Sequence, residues 1–97
     1  MEFMQLEMFV AVVEEGTMRR ASNRVFRTQP AVSMSIRKIE EEIGVPLFVR
    51  AKHHRLLTQA GETLYRYARQ LLDIRGEALS ALAELRSYSS DPQKREG

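Results

Sequence analysis

The chain has 97 residues, 43% of them hydrophobic and 29% charged, with no cysteine and a net charge of +2. That suffices for one small folded domain, is too apolar for a disordered chain, and excludes disulfide frameworks and thiolate metal centres. The amino terminus, M-E-F-M-Q-L-E, lacks the basic and apolar segments of a leader, and no apolar run nears the roughly 18 residues of a membrane span, so a cytoplasmic location is expected.

The first predicted element is an amphipathic helix over residues 2–15, with Phe3, Leu6, Phe9, Val10 and Val13 on one stripe at helical spacing. Because the two phenylalanines share that stripe with aliphatic residues, they are expected in a core rather than on a base-stacking platform. Gly16 is placed to end the helix, and Thr17 to cap a second, short one over residues 18–25. Met18, Ala21 and Val25 form the inner side of that helix, while Arg19, Arg20 and Arg24 face outward. Small Ala21 allows two helices to cross closely.

Phe26 and Arg27 lead into the stretch that organises the chain, R-T-Q-P-A-V-S-M-S-I-R-K-I-E-E-E-I-G, ending at Gly44. Thr28 is an N-cap, Pro30 sits in the first turn where a missing N–H costs little, and Gly44 followed by Pro46 ends the helix. Val32, Ile36, Ile39 and Ile43 make one apolar stripe, and Pro30, Met34 and Arg37 lie opposite it, flanked by Ser33 and Lys38. The N-terminal half of this helix holds no acid. A buried back and a small, basic, hydrogen-bonding front describe a recognition helix, and a short helix, a tight connector and this helix describe a helix-turn-helix.

Charge placement agrees. Residues 16–38 hold six basic side chains and no acid, and residues 48–60 hold Arg50, Lys52 and Arg55, again with no acid. Such segregation favours a polyanionic partner on one side of the molecule. Solvated helix faces are the ordinary alternative, and a winged-helix module that binds protein is the rival they imply.

Residues 45–58 hold two short apolar runs around the basic segment Arg50 to Arg55, which predicts a small β-hairpin wing anchored by Leu47 and Phe48. His53 and His54 are neighbours, so on a strand they point to opposite faces and do not make a metal site. With Arg55 they form a candidate minor-groove contact at the wing tip.

Thr58 caps a long helix over residues 59–88, about 45 Å at 1.5 Å per residue. Leu64, Leu71, Ala78 and Leu85 repeat every seven residues, as do Tyr67, Ile74, Ala81 and Tyr88, which is a heptad seam. Tyr65, Leu72 and Leu79, with Leu82, widen the apolar surface. One side can lie on the chain's own core, and the remainder predicts a homodimer, with an interface at Leu64, Tyr67, Leu71, Ile74, Ala78, Ala81, Leu82 and Leu85. The expected division is a mainly α winged helix-turn-helix over residues 1–58, a dimerisation helix over 59–88 and a polar tail over 89–97.

Chemistry is not expected. The sequence has no glycine-rich phosphate loop and no nucleophile at a recognisable distance from a base, and the consecutive Glu40, Glu41 and Glu42 splay around a helix. No catalytic residue, metal or cofactor is assigned.

Four motifs then carry a family likeness: F-V-A-V-V-E-E-G-T from Phe9, T-Q-P-A-V-S from Thr28, I-R-K-I-E-E-E-I-G-V-P-L-F-V-R from Ile36 and L-T-Q-A-G from Leu57. From Phe3 to Leu72 the chain resembles the N-terminal domain of LysR-type transcriptional regulators. The resemblance implies a winged helix-turn-helix with a long linker helix that pairs two subunits, the helix from Thr28 in the major groove and the wing at the adjacent minor groove. It places Gln29, Pro30, Ser33 and Arg37 near bases or phosphates, and Arg50 and Thr58 on the backbone. Members carry a larger C-terminal effector domain, so a small-molecule effector is expected only for a protein that includes one.

Two positions depart from the family pattern. Met34-Ser35 stands where many members carry a polar or basic pair, which shifts base reading toward an apolar contact such as a thymine methyl. Ser22 replaces a second alanine in the second helix. In the resulting division of labour, Thr28, Arg50, Thr58 and some of Arg19, Arg20, Arg24 and Lys52 contact phosphates, with Arg20 the foremost of the arginines. Gln29, Ser33, Met34 and Arg37 face the bases, and Lys38, flanking them, is counted with the DNA-binding residues. Arg37 also has an ordinary alternative, an ion pair with Glu41 one turn on.

Overall fold

A computed structural model of the chain describes residues 1–50 and 55–89. Its elements run α1 (Phe3–Glu15), α2 (Met18–Val25), α3 (Gln29–Ile43), β1 (Phe48–Arg50), β2 (Arg55–Leu57) and α4 (Gln59–Ser89). This is a mainly α winged helix-turn-helix followed by one long helix.

The helix boundaries follow from local chemistry. Gly16 ends α1 in the left-handed conformation at φ 84°, which an L side chain adopts only at a cost, and its N–H returns to the Val12 carbonyl. Thr17 Oγ1 accepts from the Arg20 N–H at 3.1 Å and starts α2. Thr28 Oγ1 accepts from the Ala31 N–H at 3.2 Å and starts α3, whose second residue is Pro30. Gly44, at φ 82°, ends it. The turn between α2 and α3 has an unexpected occupant: Phe26, the single non-glycine residue at positive φ among the described residues, at φ 58°.

The core lies where α1, α2, α3 and the start of α4 meet. Phe9, Val10, Val12, Ala21, Val32, Ile39, Leu47 and Ala68 are fully or almost fully buried. Two expectations about the stripes need correction. Phe3 is 45% exposed: it lies beyond the core and beneath the Arg75 guanidinium of α4, 5.5 Å from the ring centroid. Ile43 lies at the exposed end of α3, where no helix remains to cover it.

The wing is tied to this core. β1 and β2 pair antiparallel with Phe48 opposite Leu57, Val49 opposite Leu56 and Arg50 opposite Arg55. Period-two alternation sends Phe48 and Leu57 to the core and leaves Val49 and Leu56 exposed. The Phe48 ring tilts against Phe9, with centroids 5.7 Å apart. At the root of the wing the Leu47 N–H donates to Glu40 Oε2 at 2.8 Å, while the Leu47 carbonyl accepts from the Thr58 N–H at 2.9 Å. The Thr58 hydroxyl donates to the Pro46 carbonyl at 2.7 Å and accepts from the Gly61 N–H at 3.0 Å. Gly61 passes so near Leu47 that a Cβ there would meet the Leu47 carbonyl oxygen.

α4 then leaves the body. Ala60, Leu64, Tyr65 and Leu72 pack on the core around buried Ala68, and every described side chain from Asp73 onward is exposed. Leu64, expected in the dimer seam, is therefore engaged by its own chain. The molecule measures 62 × 24 × 19 Å because this helix projects from it. No helix among the described residues is long and apolar enough to cross a membrane. The polar segment over residues 90–97 lies outside the described residues.

Candidate nucleic-acid interface

α3 turns its stripe inward and its other side out. Val32, Ile36 and Ile39 are buried, while Gln29, Pro30, Arg37 and Lys38 are exposed and Met34 is 48% exposed. Ser33 is half-buried at the edge of the front, and Ser35, which follows Met34, is buried. Gln29, Pro30 and Ser33 join Met18 in lining an open concavity of about 570 Å³ where the first turns of α2 and α3 come together. Neither first turn contains an acid. The partial positive charge of two helix N-termini therefore faces the same space as the polar front of α3.

Arg37 forms no ion pair with Glu41 or with any other described residue, and the same holds for Arg19, Arg20, Arg27 and Lys38. Five cations from one acid-free stretch thus remain available to an anion. Arg24 does not join them. Arg24 faces outward as expected, but its guanidinium turns back to α1, with Nη2 2.8 Å from Glu14 Oε1 and Nη1 3.2 Å from Glu15 Oε2, so acids already engage it. Outward position on a short helix says nothing about acids waiting on a neighbouring one.

Behind the front lies a polar junction that the sequence did not reveal. Glu14 Oε2 accepts from the Tyr65 hydroxyl at 2.6 Å and lies 3.7 Å from Arg69 Nη1, so one carboxylate joins α1, α2 and α4. Burial alone would raise the Glu14 carboxyl, but hydrogen bonds from Tyr65 and Arg24, with the charges of Arg24 and Arg69, outweigh it and hold the group below the ordinary range. The hydrogen bond to Glu14, reinforced by burial, raises the Tyr65 hydroxyl.

The remaining expected contacts are placed unevenly. Thr28 spends its lone pair on the α3 cap and keeps its O–H to donate. Thr58 has its hydroxyl hydrogen on Pro46 and a lone pair on Gly61, so its observed work is to hold wing and α4 together. The backbones of Arg50 and Arg55 face each other at the outer end of the described hairpin. Lys52, His53 and His54 lie outside the described residues. Among the described residues no group of three or more His, Cys, Asp or Glu side chains gathers as a metal site.

On α4, Tyr67, Leu71, Ile74, Leu82 and Leu85 are 45–63% exposed, in line with Ala78 and Ala81. This surface is separate from the front of α3: one is cationic and polar, the other apolar.

Comparison with known proteins agrees with this architecture. Residues 3–62 match the family model described as bacterial regulatory helix-turn-helix protein, lysR family. A probable RuBisCO transcriptional regulator of Cyanidioschyzon merolae is 37% identical over 81 residues, covering 84% of this chain and 27% of that protein. The chain spans about a quarter of the length of the curated relatives it matches. A crystal structure of the BenM_DBD/catB site 1 DNA complex superposes with a TM-score of 0.84 at 34% identity, covering 90% of this chain and 97% of that one. A crystal structure of the CbnR_DBD-DNA complex gives a TM-score of 0.78 at 33% identity, covering 88% and 98%. Capped helices, a wing rooted on α4 and the matched sequence of residues 3–62 converge: the chain belongs to the lysR family of bacterial regulatory helix-turn-helix proteins.

Proposed function

We propose that the chain binds double-stranded DNA sequence-specifically as the DNA-reading part of a LysR-type transcriptional regulator, working as a homodimer on an interrupted inverted repeat. One observation carries this reading. The exposed side of α3 presents Gln29, Pro30, Met34, Arg37 and Lys38 beside an acid-free concavity, while its other side is the protein core. A helix of this build fits the major groove, which is about 12 Å wide. The solved DNA complexes of the similar BenM and CbnR domains support the same use.

Gln29 and Arg37 supply paired hydrogen bonds to base edges, Ser33 and Met34 supply close fit, and Lys38 supplies charge. Thr28, Arg20 and the first-turn amides hold phosphates, joined by Arg50 from the outer end of β1, while Thr58, its donors engaged by Pro46 and Leu47, acts on the backbone by holding the wing root in place. His53, His54 and Arg55 are the candidate minor-groove contacts. Residues 1–58 form the reading unit and residues 59–88 the pairing helix.

A second copy is the natural cover for α4. Seven large apolar side chains from Tyr67 to Tyr88 are at least 45% exposed. At roughly 100 Å² each they approach the ~800 Å² per partner of a standard interface. An antiparallel pairing sets Leu71 against Ala81 and Ile74 against Ala78, large against small in successive layers, with Tyr67 against Leu85 at the ends. A parallel pairing would instead stack Ala78 on Ala78 and Ala81 on Ala81, leaving voids.

Fluorescence anisotropy on a random duplex at two salt concentrations tests the reading. Several phosphate contacts require log K to fall steeply with log salt, with a slope near −0.9 per phosphate. A protein-binding adaptor shows no affinity to lose. Leu71→Arg tests the pairing: sedimentation shows a monomer and operator binding weakens. A variant that stays dimeric with unchanged affinity removes this interface.

A further inference from the structure

Beyond its first turn, where Thr58 and Gly61 hold the wing root, α4 meets α1 through a small apolar contact and two polar struts. Ala68 is fully buried at the middle of that contact, with Tyr65 and Leu72 half-buried beside it. An alanine brings helix backbones close but inserts into no deep groove, so on its own it is a pivot. The struts stand on either side of it. At the C-terminal end of α1, Glu14 takes the Tyr65 hydroxyl at 2.6 Å and Arg69 at 3.7 Å, and is held from the α2 side by Arg24 at 2.8 Å. Two turns earlier on α1, Glu7 lies 3.5 Å from Arg75, whose guanidinium covers the Phe3 ring.

α1 therefore runs antiparallel along α4 and is fastened to it at two places, about 10 Å apart on α1 and about 15 Å apart on α4 at 1.5 Å per residue. One fastening leaves a helix free to swivel; two fix its direction. The first strut also reaches α2, the helix that directly precedes the recognition helix.

Resting on the dimeric DNA-binding reading above, we propose that these struts, Glu14 with Tyr65 and Glu7 with Arg75, are positioning contacts that set the half-site spacing the dimer accepts. The lever is long. Ala68 and Leu85 are about 25 Å apart along α4 at 1.5 Å per residue, so a swivel of about 10° at the contact displaces the body relative to the far end of the seam by ~4 Å, more than the 3.4 Å between successive base pairs. Surface ion pairs of this kind add little to stability, so their effect appears in geometry rather than in folding. The apolar contact holds α4 on the body, and the struts hold its angle.

Tyr65→Phe removes only the hydroxyl and keeps the packed ring; Tyr65→Phe combined with Glu7→Gln also removes the charge that holds Arg75, leaving the 3.7 Å Glu14–Arg69 pair as the one polar contact between α1 and α4 among the described residues. The probe is the tightest palindromic duplex selected by the wild-type chain from a randomised library, remade with its central spacer lengthened or shortened by one and two base pairs. Affinities are read by anisotropy at fixed salt, with sedimentation on each complex. The wild type is expected to lose at least tenfold for a change of one base pair. Tyr65→Phe should keep its affinity for the selected spacing within threefold and lose less than threefold on the altered ones, with the double variant more tolerant still. Variants that discriminate spacing as sharply as the wild type overturn the proposal, and so does an equal loss on every spacer, the mark of a purely structural role. A wild type that binds the selected duplex as a monomer removes the dimer reading itself, a result distinct from either.

Discussion

Gly61→Ala tests whether the wing is fixed by the start of α4. A Cβ on Gly61 would collide with the Leu47 carbonyl oxygen and lie 2.7 Å from Leu57 Cδ2. The leucine side chain can turn aside, but the carbonyl cannot, because it already accepts the Thr58 N–H at 2.9 Å and its own amide is held by Glu40. The wing root must therefore part from α4. Overpacking of this kind costs ~1–3 kcal/mol, and the better helix propensity of alanine returns at most ~1 kcal/mol. A net loss of about 1–2 kcal/mol lowers Tm by roughly 4–8 °C for each kcal/mol in a domain of this size. Gly76→Ala is the internal control: nothing lies within 4 Å of its added Cβ, so only helix propensity acts, and the same reasoning predicts a gain of ~1 kcal/mol. Urea melts of all three proteins at one fixed protein concentration make the comparison, since pairing ties stability to concentration. If Gly61→Ala is as stable as the parent, or if both variants move in the same direction, the close approach at Leu47 does not constrain the wing.

Three further outcomes are expected. Arg37→Ala should cost ~1–3 kcal/mol on the selected operator and less on random duplex if the guanidinium reads a base; equal losses on both mark a phosphate contact. Phe26→Asn should stabilise the fold by about 1 kcal/mol, because Phe26 is 88% exposed at φ 58° and asparagine tolerates that conformation better; thermal melts that fall instead would show that the exposed ring packs on something. Glu14 is held below the ordinary carboxylate range, so its contribution is full above its unfolded pKa and is lost as pH falls through the folded value. Glu14→Gln should accordingly flatten the acid limb of the stability profile below about pH 4.3 and leave its neutral region in shape, and because Glu14 raises the Tyr65 hydroxyl it should also soften the loss as pH rises through the tyrosine range, as followed by denaturant melts across pH.

Much of the fold was legible because its signals are local. Thr17 and Thr28 cap where a hydroxyl precedes an apolar-periodic run, and Gly16 and Gly44 end helices where the chain needs positive φ. Val32, Ile36 and Ile39 are buried because their spacing leaves them one side to occupy. What escaped depends on contacts remote in sequence. Arg24 belongs to Glu14 and Glu15 only because α2 folds back along α1, and Tyr65 reaches Glu14 across 51 positions. Phe3 shares the α1 stripe, yet α4 meets it with an arginine rather than a leucine. Leu64 fits the heptad as well as Leu71 does, and only the body's position on α4 assigns it inward. One late signal was present: Gly61, Leu64, Ala68 and Leu72 recur at helical spacing with small residues among them, the pattern of a helix lying close on a neighbour.

The candidate front illustrates why net charge is a poor guide to a binding surface. Arg24, Arg69 and Arg75 are each neutralised by acids on α1 or α4, and Glu42 faces the amino terminus. Glu40 is occupied by a backbone N–H. With those groups engaged internally, the cations left unpaired near the N-terminal half of α3, away from Glu40 to Glu42, are Arg19, Arg20, Arg27, Arg37 and Lys38. They repel one another in the free protein, and a Debye length near 8 Å leaves neighbours on the same short segment poorly screened. A phosphate backbone relieves that repulsion as it binds, so affinity and salt sensitivity share one origin. The acids on α1 that take up Arg24, Arg69 and Arg75 are also the ones that brace α4 against the body, so charge sorting and the angle between the long helix and the recognition helix depend on the same few side chains.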